Sequence, residues 1–304
     1  MFKIIKSGFS SFVDNISKEN PLTNIYALGR SLIALSTFFT LLFNNPYSIF
    51  KPIAGIEQVP LCVNEASSSF FCVFRDFIPL QFTVIIALII LFLVIIGLYP
   101  RYTCLLHYWI ALSFSGSATI LDGGDQVNTV ISFLLIPICL MDGRKWAYNT
   151  ENRNSNNQIK NIFLWITFGV IVLQVSIIYL NASIEKLKVE EWRNGTAVYY
   201  FFSSSILGMP NYLKPLMNPI LSNPFFVTII TYGTLFLEFM LFCSIFLQKK
   251  LKLILFLVGV FFHFLIVIIH GLPTFFLSMS GALVFLLLPK NDFLQNIYNF
   301  YKNE

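Results

Sequence analysis

The sequence predicts an all-α integral membrane protein with about eight transmembrane helices and both termini in the cytoplasm. Composition, the length of the apolar runs and the placement of basic residues carry that expectation. Hydrophobic residues make up 56% of the chain and charged residues only 12%, against about 25% charged in soluble domains. With a mean hydropathy of +0.73, the chain has more apolar surface than one water-soluble core can enclose. The runs stay apolar for roughly 18–22 residues instead of alternating, which selects helices over a barrel.

Taken in order, the candidate spans fall at about 25–43, 78–98, 103–120, 127–141, 161–182, 225–247, 251–270 and 273–289. The fourth is short and contains Pro137, so a tilt, a kink or an extension into the preceding loop is expected there. Residues 1–24 are polar and mixed in charge, and the first run ends at Asn44-Asn45-Pro46. No small-residue cleavage site follows it, so no cleavable signal peptide is expected.

Basic residues alternate between the connections as eight spans require. Lys3, Lys6, Lys18, Arg101, Arg144, Lys145, Arg153, Lys160, Lys249, Lys250, Lys252, Lys290 and Lys302 fall on one side. Lys51, Arg75, Lys186, Lys188, Arg193 and Lys214 fall on the other. The richer side is cytoplasmic by the positive-inside rule. The formal charge of +5 is read as this loop bias, so no nucleic-acid partner is expected. A cytoplasmic segment over 1–24, a membrane domain over 25–290 and a cytoplasmic tail over 291–304 follow. Exterior loops are expected near 44–77 and 183–224. The polar linker 149–160 separates two four-span halves with no sequence repeat between them, which gives an inverted-repeat transporter little support.

Cys62 and Cys72 share the first exterior loop. An oxidising exterior favours a disulfide between them, with two reduced thiols as the other reading. Cys104, Cys139 and Cys243 lie in or at the ends of spans, where cysteine serves as a small apolar filler. No Cys/His cluster has metal-ligand spacing, so no metal is expected.

Ionisable residues inside lipid are costly and are candidates for function. Arg30 lies in the first span, where it either snorkels to the interface or faces a site. Glu238, near the middle of the sixth span, must be protonated, paired or beside a wet cavity. His263 is mid-span in Phe261-Phe-His-Phe-Leu265, either packed with a hydrogen bond or acting directly. The turn Asp122-Gly-Gly-Asp-Gln126 is either a polar helix cap or a binding rim of Asp122, Asp125 and Gln126.

The densest charge beside the membrane lies in Glu185-Lys-Leu-Lys-Val-Glu-Glu-Trp-Arg193. Glu185, Lys186 and Trp192 are its candidate site residues. Lys186 either snorkels beside Trp192 or sits in an apolar pocket, where a lysine can serve as a base.

Three segments together resemble the HTTM domain, the membrane module shared with vitamin K-dependent γ-glutamyl carboxylases. They are Leu28-Gly-Arg-Ser-Leu32, Ala182-Ser-Ile-Glu-Lys-Leu-Lys-Val-Glu-Glu-Trp192, and Phe262-His-Phe-Leu265 with Ile269-His-Gly-Leu-Pro273. That resemblance implies a catalytic base at Lys186. Where the carboxylases carry Asn-Asn-His, this chain has Gly123-Gly124-Asp125, and it lacks their large extracytoplasmic domain. Its size, outer cysteine loop and Asp122-Gly-Gly-Asp-Gln-Val127 turn are more similar to the SdpB (sporulation-delaying protein B) family. That likeness implies a multi-pass protein of the bacterial cytoplasmic membrane that matures a secreted antimicrobial peptide toxin at the outer face. The toxin precursor, an SdpA-like protein and the lipid bilayer are the implied partners. Lys186, Glu238 and His263 are then the expected catalytic set. Carboxylase-like chemistry, or redox chemistry on a quinone or other lipid, is the alternative, and a transporter or immunity protein is the third.

Overall fold

The computed structural model describes residues 13–14, 16–52, 59–60, 62, 68–149, 157–205 and 208–288. The expected tail 291–304, most of 1–24 and the middle of the 149–160 linker lie outside those residues. Among the described residues the only regular structure is helical, apart from one isolated bridge between Leu98 and Trp146.

Each expected apolar run forms a helix. α1 spans Asn24–Phe43, and the short α2 (Pro46–Ile49) and α3 (Phe70–Val73) follow outside it. Then come α4 (Leu80–Ile95), α5 (Pro100–Ser117), α6 (Gly123–Leu140) and the long α7 (Gln158–Lys188). α8 (Glu190–Arg193), α9 (Ala197–Ser203) and α10 (Lys214–Leu221) lead into α11 (Pro224–Cys243), α12 (Lys249–His270) and α13 (Pro273–Leu287). Local sequence sets the ends. Asn157 and Asn223 cap α7 and α11 through their side chains, Pro100, Pro224 and Pro273 occupy first-turn positions that need no N–H donor, and Gly271 ends α12 at φ 69°.

Five helices are long and apolar enough to cross a membrane: α1, α6, α7, α11 with its 3₁₀ extension, and α12. α4 and α13 are shorter, at 16 and 15 residues. α13 is enclosed by protein, with every residue from Ser278 to Leu287 buried, so its length need not match a bilayer. The fourth run, short in sequence, extends into the preceding loop as one of its readings allowed, and forms the 18-residue helix Gly123–Leu140 with Pro137 inside it.

α13, last in sequence, is the central post. It packs most extensively on α1, then on α12, α6 and α7. Small residues permit the α1–α13 approach: a Cβ on Gly29 would lie 2.6 Å from the Phe285 ring, and one on Gly281 2.9 Å from Ile33. Ser278 also donates to Ser36 across this contact, at 2.8 Å. A second apolar cluster joins α1, α4 and α5 to the outer pieces through Phe50, Phe70, Phe71 and Phe114. There Cys62 and Cys72 form a disulfide with a Cα separation of 5.7 Å.

The other side of the bundle is looser. α11 leans on α7, where the Ser176 hydroxyl donates to the Phe242 carbonyl at 3.0 Å. α12 leans on α13 and buries only Gly259 and His263. α11 and α12, although consecutive, barely touch. The space between them, α6 and α7 is open.

Candidate functional site

That space is a cavity of about 690 Å³ bounded by α6, α7, α8, α9, α11, α12 and the start of α13. Its wall is largely apolar and aromatic, with Trp192, Phe201, Phe202, Phe262 and Phe275 among the rings. The volume lies within the roughly 300–1,000 Å³ of small-molecule pockets.

The charged stretch that was expected to open an exterior loop at 183 remains helical to Lys188. This extension matters for Lys186. Cα–Cβ bonds tilt toward a helix N-terminus, so a lysine in the last turn of α7 is aimed back into the bundle. Lys186 Nζ donates to Glu238 Oε1 at 2.7 Å and lies 5.5 Å from the centre of the Trp192 ring. The pair is largely withdrawn from solvent, with side chains 27% and 7% exposed. Glu238 Oε2 is buried and has no hydrogen-bond partner.

His263 reaches the same cavity from α12. Its Nε2 is 3.2 Å from the Tyr179 hydroxyl, its ring stacks on Phe275 at 5.7 Å, and its Nδ1 is buried without a partner. Gln126, on the first turn of α6, also lines the wall. Lys186, Glu238, His263, Trp192 and Gln126 are thus brought together from five helices.

The remaining candidates go elsewhere. Asp122 and Asp125 form a reciprocal capping box on α6: Asp122 Oδ1 accepts from the backbone of Gly124 and Asp125, and Asp125 Oδ2 from the backbone of Asp122. Burial pushes the Asp122 carboxyl upward, and the two backbone donors pull it down. Only Gly123 of that Gly pair lines the cavity. Glu185 faces solvent and pairs with Lys188 at 2.6 Å. Arg30 lies outside the cavity lining, 1% exposed, and donates to Thr103 Oγ1 at 2.6 Å. It faces inward instead of snorkelling.

Among the polar residues of the cavity wall, Tyr179, Gln174 and Thr234 escaped the sequence reading. The available signal was spacing. Gln174, Ile178, Ala182 and Lys186 recur every four residues and therefore share one helix face. Among the described residues no group of three or more His, Cys, Asp or Glu could hold a metal ion.

The chain is 40% identical over 276 residues to sporulation-delaying protein SdpB of Bacillus subtilis (strain 168), covering 90% of this chain and 84% of that one. The chain belongs to the SdpB family. It is also 37% identical over 282 residues to the uncharacterized protein YitO of the same organism, covering 92% of this chain and 90% of YitO. No family model matches, so the HTTM resemblance is not shown, and no solved structure matches. The SdpB-family resemblance read from the cysteine loop and the Asp-Gly-Gly-Asp turn therefore holds across nearly the whole chain.

Proposed function

We propose that this protein is a membrane factor that matures a secreted antimicrobial peptide toxin at the outer face of the bacterial cytoplasmic membrane, with the Lys186–Glu238 pair as its working centre. Membership of the SdpB family supports the pathway. The observation that carries the residue assignment is a lysine–carboxylate pair turned inward onto a large apolar cavity. A charged pair this far from bulk water is costly to maintain, and one carboxylate oxygen is left without a partner. The amine and the carboxylate both face any group bound in the cavity, which is the placement a general base requires. His263, hydrogen-bonded to Tyr179, supports the site from α12. Eight spans, cytoplasmic termini and an SdpA-like partner complete this reading.

The test is genetic and chemical together. In the native host, deleting the gene should abolish the mature toxin in the medium while its precursor accumulates, and the wild-type gene should restore it. Lys186→Ala, inserted at normal abundance, should behave as the deletion. Mature toxin of unchanged mass and yield from that variant would remove Lys186 from the mechanism.

A second reading, carboxylase-like or quinone- or lipid-dependent chemistry, draws on the apolar wall of the cavity. It predicts one tightly retained lipid species per purified molecule, which extraction and mass spectrometry read directly.

A further inference from the structure

The distribution of polar groups along the cavity bears on what it holds. On α7 the lining runs from Gln174 to Lys186, twelve residues, or about 18 Å at 1.5 Å per residue. Gln174 marks one end of this stretch, Tyr179 with His263 lies between, and Lys186 with Glu238 marks the other. Gln126 and Thr234 add further polar side chains from α6 and α11. Two atoms among these groups, Glu238 Oε2 and His263 Nδ1, are buried without a partner, and of the unpartnered buried side chains among the described residues these are the two that line the cavity.

An amphiphile with a single polar head would satisfy one such cluster and lay its tail against the others, leaving buried polar atoms unpaired at a cost in affinity. An extended peptide presents an N–H and a C=O at every residue, and about five extended residues span 18 Å. Its apolar side chains would sit among the aromatic rings between those contacts. Because Lys186 and Glu238 already neutralise each other, an uncharged segment leaves no net charge in the cavity.

We infer that the cavity is a docking channel for about five residues of extended, uncharged, apolar peptide, whose main-chain groups pair with Gln174, His263 and Glu238. The inference rests on the maturation reading and gives its substrate a binding mode: the apolar part of the toxin precursor is held here while Lys186 faces one of its bonds. The weak contact between α11 and α12 leaves a lateral way in from the bilayer.

The test uses the full-length protein in lipid nanodiscs and a capped, neutral pentapeptide, acetyl-Val-Leu-(benzoylphenylalanine)-Val-Ala-amide, as photoprobe. Cross-links should map to cavity residues such as Phe201, Phe262 and Ile266, and the unlabelled pentapeptide should suppress them. Hexadecanol at equal concentration should not. Ala182→Trp, which places a ring in the cavity, should reduce labelling at least tenfold. Gln174→Leu, a milder change of similar size, should weaken competition by the unlabelled pentapeptide several-fold. Labelling confined to the outer faces of α11 and α12, or unaffected by both substitutions, would overturn the proposal. Equal displacement by hexadecanol would assign the cavity to a lipid and overturn it as well. Labelling is read apart from toxin output: intact cavity labelling with normal toxin from Lys186→Ala defeats the maturation chemistry and leaves the docking channel standing.

Discussion

Lys186 carries opposite expectations in sequence and in space. At a helix end beside a tryptophan it reads as a snorkelling residue, yet its amine turns inward to Glu238 at 2.7 Å. Losing one partner strands the other, and breaking a buried pair costs about 3–5 kcal/mol. Partial exposure of Lys186 argues for the lower end of that range. Lys186→Ala should therefore lower the thermal midpoint in detergent, and the double variant Lys186→Met with Glu238→Gln should recover most of the loss. If the double variant is no more stable than the single one, the pair is not the source of the cost. Glu238 and His263 were legible as candidates because ionisable groups in apolar runs are rare, and Lys186 because charge is so dense around it at the membrane edge. Tyr179 and Gln174 were not, because a tyrosine or glutamine in such a run reads equally well as packing. The partnership of Lys186 with Glu238, 52 positions away, has no local signal at all. For Asp122 and Asp125 the sequence offered a cap and a rim, and both carboxylates are engaged as caps.

At the scale of elements, the apolar runs located the helices, but their lengths did not reveal which helix occupies the centre. α13 reads simply as the last span, and it is the most enclosed. The reason lies in its small residues, Ser278, Ser280, Gly281 and Ala282, which let α1 approach to backbone distance. Gly281→Val would drive two methyl groups toward Ile33 and the carbonyl of Gly29, already 2.9 and 3.2 Å from a modest Cβ. We expect a loss of about 2 kcal/mol from overpacking, seen as a lower thermal midpoint and reduced membrane abundance. Gly233, whose Cβ would meet nothing within 4 Å, is the control, and Gly233→Ala should leave the midpoint unchanged or raise it slightly. A midpoint for Gly281→Val equal to that of Gly233→Ala would contradict the close packing.

For the whole molecule, sidedness decides whether the cavity can meet a secreted peptide. The proposed orientation, argued from the excess of Lys and Arg in alternate loops, has Lys188 outside and Lys249 inside. A cysteine introduced at Lys188, which is 63% exposed, should react with a membrane-impermeant maleimide on intact cells. One at Lys249 should react only after permeabilisation, and the reverse pattern would invert the orientation. Reduction of the Cys62–Cys72 bond should expose two further alkylatable thiols and cost about 2–3 kcal/mol, as expected for a short closed loop. The most direct measurement is quantitative mass spectrometry of mature toxin in the medium of cells carrying Lys186→Met with Glu238→Gln, at membrane abundance matched to wild type. The account predicts a folded, correctly inserted protein and at least a hundredfold fall in mature toxin. Mature toxin at the wild-type level would contradict it.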